Sequence, residues 1–137
     1  MPLAESVCVD TSAWIEYLRD SRHPVASKTR EHLLAARVCL ADVVIGELFQ
    51  GVRNHREQLI LEEFVDTLPI LTGTSQTWKA AGQLAASLKT HGKTLHLIDC
   101  YLATLAKEHG VSFLTCDGHF DILRTFLPQL QVQVWAA

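Results

Sequence analysis

The stretch from Val7 to Trp14, which reads VCVDTSAW, constrains the fold more than any other part of the chain. Its apolar run, bounded by polar residues, predicts a short strand that is buried on both faces. A helix is predicted to follow from about residue 13 to 18, capped by the hydroxyl of Thr11 or Ser12. Asp10 thus stands at the carboxyl end of a buried strand, where open parallel sheets bind ligands. It is either a site residue or another capping group, and this stretch alone does not choose between them.

Hydrophobic periodicity and capping residues predict the remaining elements. Helices are predicted over residues 25–36, 43–52, 55–68, 74–90 and 98–109, with a short helical segment over 120–126. Strands are predicted over 37–40, 69–71, 111–115 and, at a sheet edge with one solvated face, 131–135. The expected caps are Asp42, Asn54 with Glu57 as a capping box, Thr74 or Ser75, and Gly110. Strands separated by helices are typical of an α/β domain with a mainly parallel sheet.

Length and composition fit a single domain over residues 1–137. A chain of 137 residues with 48% hydrophobic content can bury one sizeable core. The chain start has no basic leader followed by a long apolar stretch, and no run approaches the roughly 20 apolar residues of a membrane span. We therefore expect a cytoplasmic protein. The four cysteines are widely spaced and form no CxxC pair, which favours free buried thiols over a zinc site.

The net charge of -3 argues against a protein that binds nucleic acid tightly and nonspecifically, because such affinity comes mainly from the neutralisation of phosphates by basic side chains. It leaves open an enzyme that contacts nucleic acid briefly. Basic residues do occur in close pairs, and each pair taken alone is interpreted as a solvated helix face or end. The pairs are Arg19 with Arg22, Lys28 with Arg30, Arg53 with Arg56, and Lys89 with Lys93.

Two acids lie on the apolar faces of predicted helices. Glu47 has Val43, Val44 and Gly51 as helical neighbours, and Asp99 occupies the first turn of a stripe that otherwise faces the core. The charge at a helix N-terminus could stabilise Asp99 modestly, whereas Glu47 has no such support. By contrast, four other acids have polar neighbours and are interpreted as ordinary solvated charges: Glu57, Glu62, Glu63 and Glu108.

A fourth acid, Asp117, follows the second strongly apolar strand as Asp10 follows the first. If Asp10, Glu47, Asp99 and Asp117 converge, each pair about 5 Å apart repels by on the order of 3 kcal/mol at an effective dielectric near 20. Such a cluster needs a cation, or one member must take up a proton. Oxygen ligands without paired cysteines point to Mg²⁺ or Mn²⁺ rather than zinc.

Four segments that carry these acids resemble a PIN domain and, within that superfamily, the VapC-type ribonuclease toxins of bacterial toxin-antitoxin operons. They are VCVDTSAWIEYL, ADVVIGELFQGV, LIDCYLATLAKEHG and FLTCDGHF. The resemblance covers nearly the whole chain. It implies a PIN-like three-layer domain with a mainly parallel central sheet flanked by helices. It also implies a magnesium- or manganese-dependent endoribonuclease that is dimeric, is held inactive by a VapB-type antitoxin and leaves 5′-phosphate and 3′-hydroxyl ends.

Carried over position by position, the resemblance assigns both the acids and their supporting residues. Asp10 and Asp99 are expected to ligate the metal directly, with Glu47 and Asp117 completing the site through water or a second ion. Ser12 and Thr115 match the family's supporting polar positions. Where many relatives carry a second acid after the fourth, this chain has Gly118 and His119. We interpret His119 as a surface turn residue, with a phosphate contact as the alternative.

Two other classes of α/β protein fit these residues poorly. A phosphatase of the haloacid dehalogenase type requires a second acid two residues after the first, where this chain has Ser12. A receiver domain would carry paired acids at the first strand and a lysine after a late strand, and neither is present. The remaining alternative is a catalytically silent PIN-fold interaction module. The dimer face is not assigned by the sequence, but three aromatic residues are candidates for it if the fold leaves them exposed: Trp14, Tyr17 or Phe49.

Overall fold

The computed structural model describes residues 5–135 and contains one five-stranded sheet. The strands are β1 (Val7–Val9), β2 (Val38–Ala41), β3 (Ile70–Leu71), β4 (Ser112–Thr115) and β5 (Val132–Val134). Their order is β3-β2-β1-β4-β5, and each neighbouring pair is parallel. The α/β prediction is therefore confirmed, and β5 lies at the sheet edge as expected.

Helices connect the strands and cover the sheet. They are α1 (Thr11–Leu18), α2 (Pro24–Leu34), α3 (Asp42–Gln50), α4 (His55–Thr67), α5 (Ser75–Thr90), α6 (Leu97–His109) and α7 (Leu123–Phe126), with a 3₁₀ helix over Gly118–Ile122. Each corresponds to a predicted helix within a few residues, and the segment predicted over 120–126 divides into the 3₁₀ helix and α7. None of the helices between residues 5 and 135 combines the length and the apolar character needed to cross a bilayer.

Strand β1 lies at the centre of the sheet, and its three residues are buried. Cys8 pairs with Cys39 of β2 on one side and with Phe113 of β4 on the other. Because the strands are parallel, their carboxyl ends meet at one edge of the sheet. Asp10 and Asp117 follow β1 and β4 at that edge, which brings together residues more than a hundred positions apart in the sequence.

The predicted caps of α1 and α3 are wrong in detail. Asp10 occupies the N-cap position of α1 and makes no side-chain capping bond, and the Thr11 and Ser12 hydroxyls donate to carboxylates instead. In α3 the N-cap is Ala41, and Asp42 is the first helical residue. Capping is a local rule, so it could not anticipate that these oxygens have partners from distant parts of the chain.

Burial selects among the dimer-face candidates and corrects the expectation for Glu57. Trp14 is fully buried against Phe64, with ring centroids 5.1 Å apart, so it cannot contribute to a dimer face. Tyr17 is partly covered by the same cluster, whereas Phe49 is 36% exposed. Glu57, expected to be solvated, is only 4% exposed. Its burial is possible because Arg53 supplies both an ion pair and hydrogen bonds.

An aromatic cluster fixes the packing of α5 against α6. The Tyr101 ring stacks on Trp78 with centroids 4.0 Å apart, and its hydroxyl donates to Asp42 at 2.8 and 2.9 Å. The Gly73 N–H donates to the same carboxylate at 3.2 Å. A β-carbon at Gly73 would lie 2.9 Å from carbons of the Tyr101 ring, so only glycine permits this approach.

Candidate active site

Asp10 is buried at the carboxyl end of β1 and is held by two hydroxyl groups. Ser12 Oγ donates to its Oδ2 at 2.7 Å, and Thr115 Oγ1 donates to the same oxygen at 2.8 Å. Burial raises the pKa of Asp10, and these two donors offset part of that shift. Because hydroxyls from α1 and from the end of β4 hold this carboxylate, Asp10 is more than a local helix cap.

The supporting hydroxyls also join α1 to the end of β4. Ser12 Oγ lies 3.3 Å from Thr115 Oγ1 and accepts a hydrogen bond from the Cys116 N–H at 3.3 Å. Thr115 Oγ1 accepts from the Asp117 N–H at 3.0 Å. The two residues expected to support the first acid therefore also position the backbone of the fourth.

Asp99 lies in the first turn of α6 and is influenced by the other three acids. Burial is the largest cause that raises its pKa, to about 6, and the negative charges of Asp10, Asp117 and Glu47 add to the shift. His96, the N-cap residue of the same helix, acts in the opposite direction. The four acids thus belong to one electrostatic group, although they come from four separate segments.

Asp117 is the N-cap of the 3₁₀ helix and lies closer to solvent. Its Oδ1 accepts a hydrogen bond from the His119 N–H at 2.9 Å, and His119 Nδ1 lies 2.8 Å from the same oxygen. Asp99 and Asp117 line one cleft of about 450 Å³ together with His96 and His119. The His119 side chain is 84% exposed, so its ring stands at the mouth of this cleft.

Glu47 lies on α3 and faces a different cavity. Thr11 Oγ1 donates to its Oε1 at 2.7 Å, which ties α3 to the start of α1. The cavity measures about 110 Å³ and includes Arg19 and Arg53 in its lining. Thr11 was missed as a functional residue because its place after Asp10 was interpreted as capping. The position of the Thr11 hydroxyl directly after Asp10 was the feature of the sequence that could have indicated a role in the site.

The donor set is consistent with a hard divalent cation. In the described part of the chain, no lysine or arginine forms a salt bridge with any of the four acids. Within residues 5–135, no three side chains of His, Cys, Asp or Glu converge as a ready-made ion cage. Mg²⁺ keeps several of its waters and binds through one or two carboxylates, so an open set of oxygens suits it. The cysteines of the described chain are free, and three of them are buried, away from such a role.

A parallel α/β sheet with four grouped acids, three of them at or near its carboxyl edge, defines the class of this molecule. The chain belongs to the PIN-domain family, whose model matches residues 7–124. It is 31% identical over 121 residues to ribonuclease VapC11 of Mycobacterium tuberculosis, with 85% of this chain and 90% of that protein covered. It is 26% identical to toxin FitB of Neisseria gonorrhoeae, covering 81% of this chain and 87% of that one.

Solved structures confirm the fold. The DNA-bound VapBC complex of Salmonella typhimurium contains a chain that matches with a TM-score of 0.71 at 23% identity, covering 96% of this chain and 98% of that one. The FitAB complex bound to a DNA fragment matches with a TM-score of 0.69 at 22% identity, covering 96% of each chain. At 22% and 23% sequence identity, this structural similarity establishes the fold of the chain.

Proposed function

We propose that this protein is a divalent-metal-dependent endoribonuclease and the toxin of a toxin-antitoxin pair. One observation carries the proposal: the negative charges of Asp10, Asp117 and Glu47 all raise the pKa of Asp99, and no lysine or arginine of the described chain forms a salt bridge with any of these four acids. Grouped negative charge, of which the Asp10 carboxylate is buried and the other three are partly buried, favours a cation. The relatives named ribonucleases, at 31% identity, support RNA as the substrate.

In this proposal the acids hold the ion and the hydroxyls orient the acids. Asp10 and Asp99 would bind Mg²⁺ or Mn²⁺ directly, while Glu47 and Asp117 would contact it through water or hold a second ion. Bound metal would supply an activated water and neutralise charge on the scissile phosphate. Ser12 and Thr115 both donate to Oδ2 of Asp10 and so fix the orientation of the carboxylate that would bind the ion. Thr11 does the same for Glu47.

The partners follow from the same relatives. The similar solved structures include toxin-antitoxin complexes, and the VapBC and FitAB complexes are bound to DNA. We propose that a VapB-type antitoxin inhibits this chain by placing a basic side chain among the carboxylates, where it would replace the charge of the metal. A homodimer is proposed as the assembly, with Phe49 as an exposed aromatic candidate for its interface.

Cleavage of total cellular RNA tests the proposed activity. The purified chain, free of antitoxin, is incubated with Mg²⁺, with Mn²⁺ or with chelator, beside an Asp10→Asn variant. Asp66→Asn is the matched control, because Asp66 is an exposed acid on α4. We expect discrete fragments that require metal, persist in the control and disappear in Asp10→Asn. A folded wild type that binds Mn²⁺ and cuts no RNA would instead indicate an interaction module.

A further inference from the structure

A small cavity beside Glu47 has an apolar floor and a charged rim. It measures about 110 Å³ and lies between α1, α3 and α4. That volume is several times what one water molecule needs, so the cavity can admit a group of the size of a single aromatic or sugar ring. Its floor is lined by the side chains of Ile15, Leu18, Leu48 and Leu61.

One guanidinium group at the rim is fixed by a buried carboxylate. Glu57 accepts hydrogen bonds from Arg53 Nε at 3.0 Å, from Arg53 Nη2 at 2.7 Å and from the Arg53 backbone N–H at 3.1 Å. The Glu57 side chain is 5% exposed, whereas that of Arg53 is 49% exposed. Glu57 therefore fixes the orientation of the Arg53 guanidinium group, and about half of the Arg53 side chain remains exposed to solvent.

A second guanidinium group completes the rim. Arg19 is exposed at the end of α1, lines the same cavity, and its charge helps to lower the pKa of Glu57. In the described chain its side chain forms no salt bridge. Two arginines thus line the same cavity as Glu47, in a protein whose net charge is -3.

RNA is a polyanion, and arginines beside an acidic site attract the phosphates that flank the one bound by the metal. We propose that this cavity binds the nucleotide adjacent to the scissile bond, with its phosphate on Arg19 and Arg53 and its base or ribose on the apolar floor. The inference rests on the proposed ribonuclease function and extends it with a substrate-binding site. The contacts between arginine and phosphate would position the RNA strand. The apolar floor would select which base or ribose binds next to the scissile bond.

The salt dependence of RNA binding tests the arginine contacts. The parent is the Asp99→Asn protein in chelator, and the probe is a fluorescent single-stranded RNA of mixed sequence, followed by anisotropy at several KCl concentrations. Arg19→Ala is expected to weaken binding and to lower the slope of log K against log[salt] by about 0.7, the value for one phosphate contact with a single strand. Lys107→Ala is the control. It removes an exposed positive charge from the last turn of α6, at the opposite end of that helix from Asp99, and should leave the slope unchanged.

A cavity-filling variant tests the floor independently of charge. Gly51 lines the cavity with φ -96° and ψ 8°, and a β-carbon there would meet only ordinary contacts of 3.6 and 3.9 Å. Gly51→Leu is therefore expected to fold, to reduce RNA affinity about tenfold and to keep the salt slope. Gly51→Ala, which adds one carbon, should cost much less.

Each outcome bears on the inference separately from the proposed function. An Arg19→Ala slope equal to that of the parent, or a parent that does not bind the probe at all, overturns the nucleotide site. So does a Gly51→Leu protein that binds RNA normally but no longer binds a co-expressed antitoxin, because the cavity then accepts a protein segment. Metal-dependent RNA cleavage by the wild type, measured as above, would still stand in all three cases.

Discussion

At the scale of single residues, two hydroxyl groups make the burial of Asp10 tolerable. Asp10 is 6% exposed, and a buried carboxylate is costly unless donors compensate for its lost water. Ser12 and Thr115 both donate to Oδ2, so the loss of either leaves an incompletely compensated charge. These two residues are therefore positioning residues that act through the carboxylate they hold.

Thr115→Val tests this role. The substitution keeps the shape of a fully buried side chain and removes one donor, so we expect a loss of about 1–3 kcal/mol in the free energy of unfolding together with reduced RNA cleavage. Thr104→Val is the control, because that buried hydroxyl donates only to the Cys100 carbonyl of its own helix, at 2.7 Å. Urea unfolding that shows equal losses for both variants would contradict the assignment.

Asp99 should make the metal-free protein less stable as pH rises. Its pKa in the folded state is raised to about 6, above the usual value, so the folded state binds the proton more tightly than the unfolded chain. Stability is therefore lost between about pH 4 and pH 6, by roughly 1–2 kcal/mol after allowance for partial exposure. In Asp99→Asn this dependence should be reduced, leaving the part that arises from Asp10.

Unfolding in chelator across that pH range provides the measurement. Above pH 6 the Asp99→Asn protein should be as stable as the wild type or slightly more stable, because a repelling charge has been removed. A large loss of metal-free stability in the variant would mean that the carboxylate of Asp99 is structural.

At the scale of elements, the approach of Gly73 to the Tyr101 ring holds α5 and α6 in place at the end of β3. Gly73→Ala would force the ring away from Asp42 and from its stack on Trp78, so we expect a loss of about 1–3 kcal/mol. Gly82→Ala is the matched control. Its β-carbon would meet nothing within 4 Å inside α5, and it should stabilise by about 0.5–1 kcal/mol. Denaturant unfolding should therefore shift in opposite directions for the two variants.

Elements were predictable where the cause is local. The αL glycine at Gly110 ends α6 as expected, and Asn54 accepts from the Glu57 N–H at the start of α4. The Glu57 side chain, however, reaches the Arg53 backbone rather than that of Asn54, and it is buried. Sequence spacing shows which residues are neighbours along a helix. It does not show that the guanidinium group of Arg53 will pair with the Glu57 carboxylate and so make its burial possible.

The candidate site was predictable to a similar extent. Periodicity identified Glu47 and Asp99 as acids on apolar faces, and the strand ends identified Asp10 and Asp117. The contact between Thr11 and Glu47 was not predictable from spacing, because it joins α1 to α3 across 36 positions. The separation of Glu47 into its own cavity also depends on how α1, α3 and α4 pack, which no single segment encodes.

At the scale of the whole molecule, we expect metal binding to control stability. A cation that binds only the folded state, and whose concentration is a hundred times its dissociation constant, adds about 2.7 kcal/mol to the free energy of unfolding. Mn²⁺ should therefore raise the unfolding temperature of the wild type and of Asp66→Asn, but hardly that of Asp10→Asn. The increment should grow between pH 5 and pH 7, because the proton on Asp99 competes with the metal. An increment that is equal in Asp10→Asn would place the ion elsewhere.

The pairing of β1 with β4 has a consequence during biosynthesis. Thr115 completes the hydrogen bonds of Asp10 across 105 positions, and the central strand lacks one of its two neighbours until residues 112–115 have been made. A ribosome-bound chain therefore exposes Asp10 and Glu47 long before Asp117 exists. Premature termination before Ser112 would release a fragment that lacks both β4 and Asp117, so the acid group could not assemble in it.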